Sequence, residues 1–129
     1  MTTYRLEIYR KPLEAIISGK KKVEIRTNNS YEQIDYSSLN QRDIIKFQLI
    51  LGPPFVDLQI IEENVLDVEV LKVINYKSPK ELLCQEGIGV LSELVETIEE
   101  GEDLLYSFHE YKEMIPIYGI YAIHFNLIK

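Results

Sequence analysis

The fold of this chain is limited above all by the order in which its apolar patterns change. Apolar and charged residues alternate over residues 4–9, which predicts a strand, and helical apolar spacing follows over residues 13–17. Residues 20–27 alternate again and predict a second strand. Two β-branched-rich runs at 44–51 and 65–74 predict further strands, and a short extra strand is expected near residues 56–61.

The second half of the chain is first helical and then extended. Ser78 and Pro79 are suited to the cap and first position of a helix, in which Leu82 and Leu83 face inward. A second helix is expected over residues 90–100, with Gly101 ending it. Residues 104–108 predict a short helix and residues 118–128 a closing strand.

This order has no regular β-α alternation, so it predicts an α+β fold with a mostly non-parallel, curled or barrel-like sheet. A chain of 129 residues is the size of one domain, and we expect residues 1–129 to form a single one. The composition is 46% hydrophobic and 27% charged without a long apolar run, which excludes disorder and a membrane span. The charged N-terminus lacks a signal-peptide pattern, which predicts a cytoplasmic protein.

Residues that hold metals are scarce in the sequence. Cys84 is the single cysteine, so it forms no intramolecular disulfide or thiolate cluster, and we expect it to be a small core residue on a helix. The two histidines, His109 and His124, do not have the spacing of metal ligands. The sequence therefore predicts neither a metal site nor a cofactor.

The net charge of −7 is unevenly distributed. Residues 1–30 hold seven basic and three acidic side chains, a net of four positive charges, whereas residues 81–113 hold ten carboxylates and one base. This charge argues against a protein that coats duplex DNA by neutralising phosphates, and it favours a small ligand. The acidic stretch is interpreted as the solvated side of helices, or alternatively as a surface for a protein partner.

One segment carries a family resemblance. Residues 12–26 consist of a short apolar helix that leads into the pattern Gly19-x-Lys21-x-Val23-Glu24-x-Arg26, and this resembles the signature of the ASCH family. Asp43 then precedes an apolar strand as in that family, with Arg42 where glycine is usual, and residues 118–125 resemble the closing strand. The resemblance covers nearly the whole chain.

The resemblance implies a PUA-like small β-barrel of mixed strands with peripheral helices. It also implies a cleft beside the strand Gly19–Arg26 that holds RNA, a nucleotide or a modified nucleobase. Some small relatives are amidohydrolases that remove the acetyl group from acetylated cytidine with a lysine, a threonine and a helical glutamate. Lys21 matches the lysine, Glu24 stands at the threonine position, and Glu86 is the nearest candidate for the glutamate.

The residues of this segment support two interpretations of their own. Lysines and an arginine beside a glutamate can hold phosphate oxygens or can form surface ion pairs. If the strand were regular from Lys20 onward, Lys21 would share a face with Val23 and Ile25, and desolvation would lower its pKa. Three functions remain open: RNA or nucleotide binding, amidohydrolysis of acylated cytidine nucleosides by Lys21, Glu24 and Glu86, and protein interaction. The candidate ligand-binding residues are Lys20, Lys21, Lys22, Glu24 and Arg26.

Overall fold

The computed structural model describes residues 2–30, 34–51, 60–91, 95–108 and 110–128. Within these ranges the chain forms five strands and four α-helices, with short 3-10 helices at Tyr36–Ser38 and Ile88–Val90. The strands are β1 (Thr3–Ile8), β2 (Val23–Arg26), β3 (Ile44–Ile50), β4 (Ile60–Tyr76) and β5 (Ile120–Leu127). The helices are α1 (Arg10–Ile17), α2 (Pro79–Glu86), α3 (Ile98–Ser107) and α4 (Tyr111–Tyr118).

The five strands form one mixed sheet in the order β1-β3-β4-β5-β2. β1 pairs with β3 in parallel, and β3 pairs with β4 antiparallel. The α+β class is therefore confirmed. Within the described residues the sheet has two open ends, at β1 and β2, so closure into a barrel is not confirmed.

The chain divides into two compact units, each built from separate segments. The first contains Met1–Lys22, Asn40–Lys72 and His124–Lys129. Here α1 lies against β3. Along β1 the side chains alternate between the two faces of the sheet, and Leu6 and Ile8 are buried. Leu13 and Ile16 of α1 are also buried.

The second unit contains Val23–Leu39 and Val73–Ile123. Its core is a cluster of ten buried residues, in which side chains of β2, β4 and β5 meet those of α2, α3 and α4. Ser78 caps α2 by accepting a hydrogen bond from the backbone N–H of Glu81 at 3.2 Å, and Pro79 occupies the first helical position, as predicted. Leu82 and Leu83 are both buried in the cluster, also as predicted.

The strand predicted for residues 20–27 is shorter than expected, because β2 begins only at Val23. The backbone N–H groups of Lys20 and Lys21 both donate to the carbonyl oxygen of Ala15, at 2.9 and 3.0 Å. Gly19, at φ 83°, makes the left-handed turn that allows this closure of α1. The backbone N–H groups of Lys20 and Lys21 thus complete the end of α1 and are not available for pairing in the sheet.

The helix boundaries of the second unit also differ from the prediction. Gly101 does not end a helix but lies buried inside α3, where an added Cβ would be only 2.7 Å from Cδ1 of Leu83. Close packing of α3 on α2 is the physical reason for this glycine. Of the helix expected over residues 90–100, residues 98–100 belong to α3, residues 95–97 are not helical and residues 92–94 lie outside the described ranges.

Other differences concern single elements. Cys84 lies on α2 but is exposed, so its prediction as a core residue is wrong. α4 was not predicted, because Pro116 interrupts its pattern and Glu110 precedes it at φ 67°. The extra strand expected near residues 56–61 falls mostly outside the described ranges, while β4 begins at Ile60. No helix in the described ranges is long and apolar enough to cross a membrane.

Candidate functional site

The three lysines of the predicted site lie between α1 and β2, at the end of a segment of the first unit. Lys20 and Lys22 are exposed, and Lys21 is partly buried. Because β2 starts at Val23, Lys21 does not alternate with Val23 and Ile25 along a strand. Lys21 is therefore not desolvated by a strand face, and the ligand role of Lys21 stays a prediction.

Glu24 and Arg26 are brought together in the second unit. Oε2 of Glu24 accepts hydrogen bonds from both Nε and Nη2 of Arg26, at 2.9 and 2.7 Å. The side chains are only 9% and 14% exposed, respectively. The carboxylate therefore orients the guanidinium on one face of the strand, and two contacts to one oxygen fix the plane of the guanidinium.

The side chains of this pair point away from the helices. Val23 and Ile25 of β2 belong to the helix-side core cluster, so Glu24 and Arg26 lie on the opposite face of the strand. Neighbouring β5 follows the same rule: Ile120 and Ala122 are in the cluster, and Tyr121 is on the other face. We call this opposite side of the sheet, within the second unit, the helix-free face.

The helix-free face carries a depression of about 350 Å3. Its lining residues come from the 3-10 segment after β2, from the end of β4 and from β5: Tyr36, Ser37, Leu39, Val73, Asn75 and Tyr121. The rings of Tyr36 and Tyr121 are 6.1 Å apart and inclined by 37°. Among the lining side chains that the structure describes, none is basic or acidic.

A hydrogen-bonded loop holds the rim of this depression. Oδ1 of Asp35 accepts from the backbone N–H of Ser37 at 3.0 Å and from its hydroxyl at 2.7 Å. Nδ2 of Asn28 also donates to this oxygen, at 3.3 Å, and the three bonds hold the pKa of Asp35 below its usual value, with the Ser37 hydroxyl as the largest cause. Burial, followed by the charge of Asp35, raises the pKa of Tyr121.

Glu86 is placed on the helix side of the sheet. It accepts a hydrogen bond of 2.5 Å from the hydroxyl of Tyr76, a member of the core cluster. Burial, followed by the bond to Glu86, raises the pKa of Tyr76 to about 12. Glu24 lies on the helix-free face, so the structure does not bring the two candidate catalytic carboxylates to one face.

A second depression, of about 470 Å3, lies in the first unit. Its lining residues are Gln41, Arg42, Glu69, Val70 and Leu71. Arg42 takes φ 78°, a left-handed conformation that glycine adopts without strain. None of the described residues that line either depression belongs to the predicted set of Lys20, Lys21, Lys22, Glu24, Arg26 and Glu86.

Groups of three or more metal-ligating side chains are absent from the described ranges. His124 is half-buried on β5, next to core residues. His109 lies outside the described residues.

The model of the ASCH domain matches residues 6–129. The chain belongs to the ASCH domain family. No curated protein matches it. The match includes the complete Gly19–Arg26 segment and extends over almost the whole chain.

Two solved structures have the same fold as this ASCH domain. The crystal structure of the hypothetical protein PH0355 is 28% identical, with a TM-score of 0.76, and the match covers 98% of this chain and 100% of that one. The solution NMR structure of protein PF0455 from Pyrococcus furiosus is 24% identical, with a TM-score of 0.67, and covers 99% of both chains.

Sequence reasoning missed the tyrosine-lined depression of this ASCH domain. Its residues come from three separate parts of the chain, and no local pattern joins Ser37, Asn75 and Tyr121. The available signal was the count of nine tyrosines without tryptophan, which indicates aromatic surfaces with polar ends but not where they meet.

Proposed function

We propose that this ASCH domain binds single-stranded RNA or a nucleotide-like ligand through the segment Gly19–Arg26. The PUA-like barrel that the resemblance implies is part of the same proposal. In this proposal Lys20, Lys21 and Lys22 contact phosphate oxygens, and the oriented guanidinium of Arg26 makes directed contacts of its own.

The buried pair of Glu24 and Arg26 is the observation that carries the proposal. Replacing a buried ion pair by apolar residues is often neutral or stabilising, so fold stability is a weak explanation for charges on a four-residue strand. A guanidinium held by two hydrogen bonds to one carboxylate oxygen is preorganised, because its rotamer is set before any ligand arrives.

Local charge supports a small or single-stranded ligand over a duplex. The lysines follow α1 and precede Val23 in the sequence, while the chain as a whole carries −7. A patch of this size reaches few phosphates, so affinity is weak and sensitive to salt.

The test is fluorescence anisotropy with a labelled single-stranded RNA, comparing the wild type with a variant in which Lys20, Lys21 and Lys22 become alanine. A matched control replaces the exposed Lys72, Lys77 and Lys80, so that both variants lose three positive charges. We expect the first variant to bind at least ~10-fold more weakly and to lose about 2 units of the salt slope, at ~0.7 per phosphate contact. The control is expected to retain most of the affinity.

Equal losses in the two variants would show that only net charge matters and would remove the segment from the proposal. Unchanged binding in the first variant would place the RNA site elsewhere in the chain.

Binding is favoured over amidohydrolysis by the contacts of the two carboxylates. Glu24 accepts two hydrogen bonds from Arg26 at Oε2, so this oxygen is already engaged. Glu86 is bonded to Tyr76 on the helix side. We therefore expect little or no release of cytidine and acetate from acetylated cytidine. Turnover of ~1 per second that disappears in Lys21→Ala would establish the hydrolase instead.

A further inference from the structure

A turn in the first unit holds an arginine in a conformation that usually belongs to glycine. The backbone N–H of Asp43 donates to the carbonyl oxygen of Asn40 at 3.1 Å and closes the turn, in which Arg42 is the third residue at φ 78°. Type II turns place glycine at this position, because other side chains are strained there. Strain of this kind persists most often where the side chain has a function.

The turn is tied to β4, so the fold sets the position of Arg42. Its backbone N–H donates to the carbonyl oxygen of Val70 at 2.8 Å, and the N–H of Val70 donates to the carbonyl oxygen of Asp43 at 2.8 Å. The buried carboxylate of Asp43 accepts from the backbone N–H groups of Asn40 at 2.8 Å and of Thr2 at 2.9 Å. A hydrogen-bonded backbone thus carries the guanidinium beside the depression of about 470 Å3 that Arg42 lines.

The side chain of Arg42 differs from those of the other two non-glycine residues that the structure describes at positive φ, Asn64 and Glu110. The amide of Asn64 is hydrogen-bonded to Gln48, and the carboxylate of Glu110 is hydrogen-bonded to Ser30. The guanidinium of Arg42, in contrast, has no hydrogen bond or ion pair with a described residue. Contacts within the described chain therefore explain the first two side chains but not the third.

Glu69 supplies a negative charge to the same depression, and it too is unpaired among the described residues. It lies opposite Ile44 in the register of β3 and β4, and an isoleucine cannot neutralise it. The next basic residue of β3, Lys46, is already bonded to Asp67 at 2.9 Å. Arg42 and Glu69 also form no ion pair with each other. The depression therefore presents one positive and one negative charge that remain available to a ligand.

The other lining residues complete the chemistry of the depression. Gln41 is exposed, and its amide both donates and accepts. Leu71 is 38% exposed and offers apolar surface, whereas Val70 is buried and offers little. The volume of about 470 Å3 lies within the range of roughly 300–1,000 Å3 for small-molecule sites. A ligand with charge of a single sign would be attracted by Arg42 or Glu69 and repelled by the other, whereas a dipolar ligand satisfies both.

We infer that the depression lined by Gln41, Arg42, Glu69 and Leu71 binds a small zwitterion with an apolar side chain, of the amino-acid or dipeptide class. Arg42 receives the carboxylate through its planar fork of N–H donors, Glu69 receives the ammonium, and Leu71 packs against the apolar part. The site lies entirely in the first unit and goes beyond the proposed function, because it uses no residue of the segment Gly19–Arg26.

The test is a set of NMR titrations of the intact 15N-labelled protein with leucyl-leucine, its N-acetylated form and its C-terminal amide. Acetylation removes the ammonium of the dipeptide, and amidation removes its carboxylate. We expect the backbone amides of residues 41, 42 and 69–71 to shift with the free dipeptide. Each capped form is expected to bind at least ~5-fold more weakly, since one charge-assisted contact is lost.

Two variants assign each charge of the ligand to a side chain. Glu69→Gln is expected to bind the free dipeptide no better than the acetylated form, and Arg42→Gly no better than the amide. Glycine relieves the left-handed strain but gains freedom in the unfolded chain, so the thermal midpoint of Arg42→Gly is expected to stay within about 4 °C of the wild type. Arg10→Ala and Glu14→Gln, at exposed residues of α1, are the matched controls and are expected to keep both preferences.

Equal affinity for the three dipeptides, an absence of shifts with any of them, or preferences that survive in both Arg42→Gly and Glu69→Gln would overturn the zwitterion site. RNA separates this inference from the proposed function, because Arg42→Gly is expected to bind single-stranded RNA like the wild type. A loss of RNA affinity as large as that of the variant without the three lysines would assign Arg42 to a phosphate and remove the zwitterion site, while the proposed function would stand.

Discussion

Glu24 and Arg26 are two opposite charges that folding removes from water together. Their burial contrasts with the pair of Arg5 and Glu63 in the first unit, whose side chains are 56% and 64% exposed. Mutual attraction in a buried pair does little more than offset desolvation, but the removal of one partner leaves the other charge buried and uncompensated. The two residues are therefore energetically coupled.

Replacing Glu24 by alanine is expected to lower the free energy of unfolding by about 3–5 kcal/mol, because Arg26 is left as a buried cation. The same change at Glu63 is the matched control, with an expected loss of about 0–1 kcal/mol for an exposed pair. Urea unfolding of both variants provides the comparison. Losses of similar size would contradict the view that the Glu24–Arg26 pair is buried.

At the scale of elements, the sequence predicted most strands and the start of α2 but misplaced elements whose boundaries depend on packing. Ser78 and Pro79 carry a local capping signal, so α2 could be found from sequence. Gly101 carries the local signal of a helix end, yet contact with Leu83 of α2 decides its place inside α3. The start of β2 was missed for a similar reason, because the carbonyl oxygen of Ala15 binds the N–H groups that a strand at Lys20 and Lys21 would have used.

Gly101→Ala tests this packing of α3 on α2. Alanine improves helix propensity by about 1 kcal/mol, but overpacking against Leu83 costs about 1–3 kcal/mol, so we expect a net destabilisation of about 1 kcal/mol. In a Leu83→Ala background the 2.7 Å contact is removed and the contact with Cδ1 of Leu91 at 3.2 Å remains, so Gly101→Ala is expected to cost less than in the wild type. Thermal or urea unfolding of the four proteins completes the cycle. A loss of the same size in both backgrounds would mean that Leu83 is not the obstacle.

The hydrogen bond between Tyr76 of β4 and Glu86 of α2 predicts that the free energy of unfolding depends on pH in the alkaline range. Tyr76, with a pKa raised to about 12 from 10.0, holds its proton more tightly in the folded than in the unfolded chain. The contribution of this raised pKa to the free energy of unfolding is fully present below pH 10 and is lost as the pH rises from 10 towards 12. Tyr76→Phe is expected to make the free energy of unfolding fall less steeply over this window. Tyr118→Phe, at a tyrosine that is 45% exposed, is the control, and parallel profiles for Tyr76→Phe and the wild type would refute the assignment.

Across the whole molecule, acidic and basic residues are concentrated in different parts of the chain, and both groups include exposed side chains. Acidic residues of α3 such as Glu99, Glu100 and Asp103 are exposed, in line with a solvated helix face. The basic residues Lys20 and Lys22 are exposed in the link from α1 to β2. The pairing of Glu24 with Arg26 could be predicted, because it depends on strand alternation alone. The tyrosine-lined depression could not be predicted, since it needs the packing of segments far apart in sequence.

The proposed RNA site is tested most directly by a map of amide chemical shifts on the intact 15N-labelled protein during titration with a short single-stranded RNA. Ligand binding at the proposed site predicts that the largest changes fall on residues 19–26, including the backbone N–H groups of Lys20 and Lys21 at the end of α1. Changes centred instead on the acidic helix α3, or an absence of changes in residues 19–26 while RNA is bound, would contradict it.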